Sequence, residues 1–373
     1  MSDKIKNIIT TVLLSVIIFG LGITLIVSKD KEYSDSERRT LAQMPDISIE
    51  NLFKANNGFM SEFETYTLDQ FPYRDTFRKI KMFTSLRAFF NLTANGLYTF
   101  DGAIVKEEYP LKLDVVSENL DTLATLYETT LKDKVSSINY ALVPDKNYYY
   151  SKESDRLYFD WNELESLVAE KLYFGEYIDI TDTLTKDSYY LTDTHWSQDK
   201  ITSTADKISS SLGVELPKQY TENTLPKDFW GVYTNQLMLK TNPDKLIYLT
   251  NDTINSFKTK VTNNYGVFVD SAVYDENKRD SKDLYDFFLS GAVSLATIEN
   301  PSANNDKHLI VFRDSFGSSI SPLLAQGYAK TTVVDIRYVN VNFLSSLVDF
   351  ENADVLFIYC PLVLNSPKVF KTF

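Results

Sequence analysis

Residues 308–317 read HLIVFRDSFG. The run HLIVF, 308–312, has the length of a strand and is apolar after its first residue. Asp314, Ser315 and Gly317 follow at once, residue types that turn a chain, and the reading starts a helix at about Ser315. Downstream, TTVVDI (331–336) reads as a second strand, 341–349 as a helix and ADVLFIY (353–359) as a third strand. Upstream, SINYALVP (137–144) is another apolar run, bounded by Pro and Asp. Near-continuous apolar strands suit a parallel sheet covered on both faces. Their alternation with helices predicts an α/β fold.

Helices are expected over 58–69, where Phe59, Phe63 and Tyr66 recur at helical spacing, and from Pro72 to about Phe90. A hairpin is expected over 97–105, turning at Asp101-Gly102. Further helices are read over 114–133, 161–173 and 197–212, the last with Ser197 as N-cap.

The chain has 373 residues, 43% hydrophobic and 24% charged, enough for one large domain or two smaller ones. Its net charge of −13 repels a phosphate backbone, so nucleic acid is not an expected partner. The single cysteine, Cys360, excludes an intramolecular disulfide and a Cys-based metal site. No phosphate loop, dinucleotide fingerprint or metal-ligand cluster is present in the sequence, so no cofactor and no metal are called for. Aromatics make up 14%, which serves sugar-binding clefts and cores alike.

Ile8 to Val27 is a charge-free run of 20 residues, IITTVLLSVIIFGLGITLIV. As a helix it rises about 30 Å, the thickness of a hydrocarbon core. No small-residue cleavage pattern follows it, so it reads as an uncleaved anchor. The expected topology puts the short N-terminus inside and the large polar body outside. The expected organisation is a tail and anchor at 1–28, a stalk or wrapping segment at 29–57 and one catalytic domain at 58–373.

Two histidines, His195 and His308, restrict where imidazole chemistry can sit. His308 follows a polar loop and starts a strand at the end away from the turn, so it reads as a surface residue. His195 lies in Leu191-Thr192-Asp193-Thr194-His195-Trp196. In an extended segment Asp193 and His195 point the same way. A carboxylate beside an imidazole fixes its tautomer and stabilises the cation. Read alone, the pair suits a capped turn as well as a general base. Ser315, at a strand-to-helix turn, suits an N-cap as well as a nucleophile favoured by the helix N-terminus. Together they supply a nucleophile, a base and an orienting acid, in chain order Asp, His, Ser. Gly231 in Phe229-Trp230-Gly231, Gly291 in Leu289-Ser290-Gly291, Arg337 with Tyr338, and Trp196 are further candidates for oxyanion or substrate contact.

These motifs resemble the DHHW proteins, relatives of the SGNH-like alginate O-acetyltransferases of bacterial envelopes. The resemblance runs through SERRTLAQMPDIS, FETYTLDQFPYRDTF (63–77), VPDK (143–146), DTHW (193–196), FWG (229–231), FLSG (288–291), RDSF (313–316) and VDIRY (334–338). It implies an SGNH-hydrolase-like three-layer α/β sandwich around a parallel sheet, with its motifs in permuted order. It assigns the triad to Ser315, His195 and Asp193. This chain has Thr194 where the name motif has a histidine, between the two triad residues. It has Ser290-Gly291-Ala292 where relatives show a Gly-Gly-Asn-like oxyanion segment. The implied activity is transfer of an acetyl group through Ser315 to a hydroxyl of an extracellular polysaccharide. The implied partner is a membrane-bound O-acyltransferase that supplies the acyl group. A carbohydrate esterase with the same triad, and a non-catalytic glycan- or acyltransferase-binding envelope protein, are the alternatives.

Overall fold

A computed structural model describes residues 2–34, 37, 39–54, 58–88, 93–238, 241–263 and 266–371. The chain divides into two compact units. The smaller comprises Met1–Ala94 with Asn235–Leu239, the larger Asn95–Thr234 with Lys240–Phe373.

In the smaller unit the apolar run forms α1 (Asp3–Val27), a helix with no buried residue and a mean hydropathy of 2.5. Among the described residues, this one helix is long and apolar enough to cross a membrane. Within the segment read as a stalk, Tyr33–Ser34 pairs with Arg39–Thr40, and Ile49–Phe53 forms one short helix. Helix α2 spans Phe59–Asp69, as its spacing predicts. The helix expected to run to Phe90 is α3, Arg74–Phe83, followed by a π turn over Thr84–Ala88; Phe89 and Phe90 lie outside the described residues.

The larger unit opens with the expected hairpin, β1 (Leu97–Phe100) and β2 (Ala103–Lys106), where Asp101 and Gly102 both take positive φ. Helix α4, Leu113–Leu126, ends seven residues short of the expected 133, because a π turn over Tyr127–Leu131 replaces its last stretch. Strand β3 (Ser137–Leu142) follows, then α5 (Lys146–Ser154), α6 (Trp161–Lys171) and β4 (Glu176–Tyr177). The helix expected from Ser197 is a 3₁₀ turn, Gln198–Lys200, and then α7, Thr202–Ser211. Ser197 donates to the Asp199 carboxylate instead of accepting from the helix backbone, so it is no side-chain cap.

A side hairpin pairs β5 (Thr221–Phe229) with β6 (Asp244–Thr250). Next come β7 (Lys258–Thr262), β8 (Phe268–Ser271), β9 (Leu295–Glu299) and β10 (His308–Arg313). Helix α8 (Gly317–Leu324), β11 (Lys330–Val334), α9 (Leu344–Leu347) and β12 (Asp354–Tyr359) follow, and then a short helix over Pro361–Leu364.

The central sheet has eight strands in the order β8-β7-β9-β11-β10-β12-β3-β4. The five from β11 to β4 are parallel, while β9, β7 and β8 are antiparallel additions at one edge. Side chains alternate across the strands. Leu309, Val311, Leu356 and Ile358 face a core shared with Ala205 and Ile208 of α7 and Ile320 and Leu323 of α8. Ile310, Phe312, Val355 and Phe357 face the opposite core, shared with Leu120 and Leu123 of α4, Leu164 of α6 and Leu344 of α9. The result is the three-layer, SGNH-like sandwich with a mostly parallel centre.

His308 is more deeply placed than the sequence suggests. It is half-buried, its Nε2 lies 2.9 Å from Thr332 Oγ1, and burial, aided by Lys330, pushes its pKa down to about 4. Below pH 6.5 the unfolded chain takes up a proton that the folded chain refuses until about pH 4. Stability should therefore fall as pH drops through that window, by on the order of 2 kcal/mol after solvent screening. Urea midpoints measured from pH 7 to 4 should show the fall, and His308→Gln should flatten it.

Candidate active site

All of the site lies in the larger unit, at the carboxyl ends of the parallel strands, where ligands bind in open α/β sheets. Strand β10 ends at Arg313 and α8 begins at Gly317. Asp314 shapes the turn between them: Oδ1 accepts from the Phe316 amide at 2.9 Å, and Oδ2 accepts from the Cys360 amide at 2.6 Å. One buried carboxylate thus ties the serine turn to the end of β12. Gly317 must lack a side chain, since a Cβ there would lie 2.4 Å from Arg313 Cβ. Ser315 alone in 309–328 remains partly exposed.

His195 faces it. Nε2 is 2.7 Å from Ser315 Oγ, and Nδ1 is 2.6 Å from Asp193 Oδ1. Asp193 is 1% exposed and His195 8%. A carboxylate only accepts, so Nδ1 carries the hydrogen and Nε2 presents its lone pair to the serine hydroxyl. Asp193 Oδ1 also accepts from the His195 amide at 3.1 Å, and Oδ2 from the Val232 amide at 2.7 Å. The structure therefore brings Asp193, His195 and Ser315 into one hydrogen-bonded chain across 120 residues of sequence. Such a chain can move a proton from Ser315 to His195 and so activate the oxygen as a nucleophile.

The loop carrying Asp193 and His195 is irregular, and a buried lysine and a half-buried aspartate fix it. Lys146, 1% exposed, donates to Ile104 O at 2.8 Å, Leu191 O at 2.9 Å and Asp193 O at 3.0 Å. Burial pushes its pKa down to about 7, against the pull of Asp244 and Asp193. Asp244 accepts from the Leu191 and Thr192 amides at 2.7 and 2.8 Å and from the Thr192 hydroxyl at 2.5 Å. Tyr285 stacks on the His195 ring at 3.7 Å, nearly parallel, and its hydroxyl meets Ser319 Oγ at 2.8 Å. The ring of Phe316 meets the imidazole edge-on at 5.1 Å.

The other candidates take different places. Trp196 is fully buried; its indole donates to Ser319 Oγ at 2.9 Å and Phe316 O at 3.2 Å. It cannot touch substrate, and instead clamps the histidine loop to the serine helix. Gly231 donates its amide to Thr192 Oγ1 at 2.9 Å, and a Cβ there would fall 2.4 Å from Asp193 Cβ. It is the close-packed floor under the aspartate, not an oxyanion donor. Gly291 also has its amide engaged, with Phe288 O at 3.1 Å. It follows Leu289 and Ser290, all three in the left-handed region, and a Cβ at 291 would strike the Asp286 carboxylate. Arg337 clasps Asp335 through Nε at 2.9 Å and Nη2 at 2.6 Å, beyond the end of β11, and Tyr338 beside it is 45% exposed.

Lys146, Tyr285, Asp244 and the Val232 amide were not singled out from the sequence. The Lys146 position falls inside the VPDK motif, which carried a signal without a role. Tyr285 sits in an aromatic-rich stretch where nothing marks one ring over another.

The fold is an SGNH-hydrolase-like α/β sandwich, and the Asp-His-Ser chain lies at its strand ends with Ser315 partly exposed. No family model matches the chain, and no curated protein does. Solved structures with TM-scores of 0.57 to 0.60 share its fold. A DHHW family protein from Eubacterium siraeum DSM 15702 superposes with a TM-score of 0.60 at 18% identity, covering 74% of this chain and 94% of that one. PatB1 of Bacillus cereus superposes with a TM-score of 0.60 at 22% identity, over 74% of this chain and 99% of that one. PatB1 has also been solved with a sulfonyl adduct, at a TM-score of 0.57 and 20% identity, over 74% of this chain and 98% of that one. The O-acetyltransferase domain of Pseudomonas putida AlgJ gives a TM-score of 0.44 at 13% identity, over 72% and 92%.

Proposed function

We propose that the chain is a cell-envelope O-acetyltransferase, held by α1 with its N-terminus inside and its larger unit outside. Ser315 Oγ attacks the acyl carbonyl of a donor while His195 Nε2 takes its proton. The leaving group collects that proton, and an acetyl ester remains on Ser315. His195 then takes the proton of a polysaccharide hydroxyl, whose oxygen attacks the ester. Ser315 recovers a proton as the acetyl group leaves. Asp193 stabilises the imidazolium in both halves. A membrane-bound O-acyltransferase is the proposed source of acyl groups.

The observation that carries the reading is the unbroken chain from Asp193 through His195 to Ser315, at 2.6 and 2.7 Å. The preference for transfer over hydrolysis rests on the resemblance of the sequence motifs to the alginate acetyltransferases.

The test is to incubate the full chain in detergent with a chromogenic acetyl ester, with and without oligosaccharide acceptors. Mass spectrometry of the Ser315 peptide should show an acetyl adduct, and acceptors should become acetylated. Acetate released to water alone would replace the transferase with an esterase. Acetylation that persists unchanged in Ser315→Ala would sink both catalytic readings.

A further inference from the structure

The chain just past α1 is tied to the end of α2, just ahead of α3, within the smaller unit. The Lys31 amide donates to Gln70 Oε1 at 3.0 Å, Gln70 Nε2 returns to Lys31 O at 2.9 Å, and Tyr66 OH donates to Asp30 at 3.1 Å. Thr24, Ser28, Lys29 and Lys31 share one cleft of about 570 Å³ with Phe71 and Tyr73. Phe71 and Tyr73 are 39% and 69% exposed. If α1 crosses a bilayer, these residues stand where the hydrocarbon ends.

Helix α3 continues from that point for 10 residues, about 15 Å. Its sequence is RDTFRKIKMF. Phe77, Ile80 and Phe83 recur three apart, on one side, and are 46%, 53% and 58% exposed. The opposite side faces the unit. Met82 is buried there, and Arg74 and Arg78 turn to Glu37 at 2.9 and 3.3 Å. At 100° per residue, Lys79 and Lys81 fall on the two borders of the apolar stripe, and both are exposed. An apolar stripe edged by lysines matches the acyl boundary of an anionic leaflet: rings and aliphatic groups go down, and the ammonium groups reach the headgroups. A groove on a protein partner would not require cations on both borders.

We propose that α3 is an interfacial helix that lies on the lipid surface beside α1, with Phe77, Ile80 and Phe83 in the acyl boundary and Lys79 and Lys81 on anionic headgroups. This rests on the reading of α1 as a membrane span.

The test uses the full chain in vesicles of phosphatidylcholine with one part in three phosphatidylglycerol. Nitroxide labels are placed one at a time at Phe19→Cys, Asp75→Cys, Ile80→Cys and Phe83→Cys; native Cys360 is buried and stays unlabelled. Collision with oxygen and with a water-soluble nickel chelate is read for each. Labels at 19, 80 and 83 should favour oxygen several-fold over the chelate, and the label at 75 should favour the chelate. Removing phosphatidylglycerol should raise chelate access at 80 and 83 but not at 19. Lipid contact at 19 with chelate contact at 80 and 83 overturns the proposal and leaves the anchor standing. Labels at 80 and 83 shielded from both reagents mean a protein covers the face, and also overturn it. Unchanged depth without phosphatidylglycerol removes the headgroup contact. Chelate contact at 19 overturns the anchor, and this proposal with it.

Discussion

Ser315→Ala is expected to lower acetyl-ester turnover by about 10⁶-fold and Asp193→Asn by about 10⁴-fold, values typical of removing a nucleophile and of mis-setting a triad histidine. The serine result follows because the alanine variant has no oxygen to carry the acyl group. The aspartate result is a matter of hydrogen count. Asp193 accepts on both oxygens, from His195 Nδ1 and from the Val232 amide. Asparagine has one oxygen and one NH₂ group. If the oxygen keeps the Val232 amide, the NH₂ faces Nδ1 and drives the ring hydrogen to Nε2. That hydrogen then points at Ser315 Oγ, which sits 2.7 Å away, and the ring cannot accept the serine proton. The reverse flip would put NH₂ against the Val232 N–H at 2.7 Å, a closer meeting of two donors than the 3.1 Å contact with the His195 amide on the other side. The shape of the side chain is unchanged, so the thermal midpoint should move far less than the rate. The chain has only two histidines, so nitrogen NMR should resolve the His195 tautomer directly. An Asp193→Asn variant with near-normal turnover would remove Asp193 from the triad.

Four of the five parallel strands were legible because they are mostly buried on both faces and read as largely apolar runs; the fifth, β4, is two partly exposed residues and gives no such run. HLIVF, TTVVDI and ADVLFIY fall on β10, β11 and β12 within a residue or two. The antiparallel edge was not legible. Lys258–Thr262 and Phe268–Ser271 are short and half polar; they pair with each other, and only Leu295–Glu299, further along the chain, joins them to the sheet. Helix ends at Leu126 and Phe83 were missed because the pattern of apolar residues continues through the π turns that follow them. The grouping of Asp193, His195 and Ser315 was legible in the types and scarcity of its residues. What holds it was not, because support comes from backbone groups: the amide of Val232, and the carbonyls that Lys146 gathers. Backbone donors and acceptors are the same at every position, so the sequence leaves no mark where they matter. Gly231 and Gly317 are the partial exception. Gly231 read as a candidate for substrate contact and Gly317 as a turn residue, and each is a place where a neighbouring residue occupies the space of a Cβ.

Lys146→Met should destabilise the larger unit by about 3–5 kcal/mol, the range for breaking up a buried charged network. The ammonium donates three hydrogen bonds to three carbonyls from two separate segments, Ile104 on the hairpin and Leu191 and Asp193 on the histidine loop. Methionine fills a similar volume and donates none. Leu191 O keeps the Ile104 amide at 2.8 Å, so the loop stays near the hairpin. The Asp193 and Ile104 carbonyls lose a donor, each at about 1–3 kcal/mol when buried. The buried carboxylate of Asp193 and the half-buried one of Asp244 also lose the cation they lie beside. For a unit of this size the thermal midpoint should fall by about 10 °C. The effect on chemistry is separate. Freeing the Asp193 carbonyl lets the peptide carrying the Asp193 side chain shift, and a shift of about 1 Å at a catalytic group costs about 10²-fold in rate. The two effects are read independently: calorimetry gives the midpoint, and the rate of Ser315 modification by a sulfonyl fluoride, taken well below that midpoint, gives the alignment of the triad. A lower midpoint with an unchanged modification rate would make Lys146 a support of the fold alone. A slower rate in a chain that is still fully folded would show that the buried ammonium sets the geometry of the Asp193 to Ser315 relay.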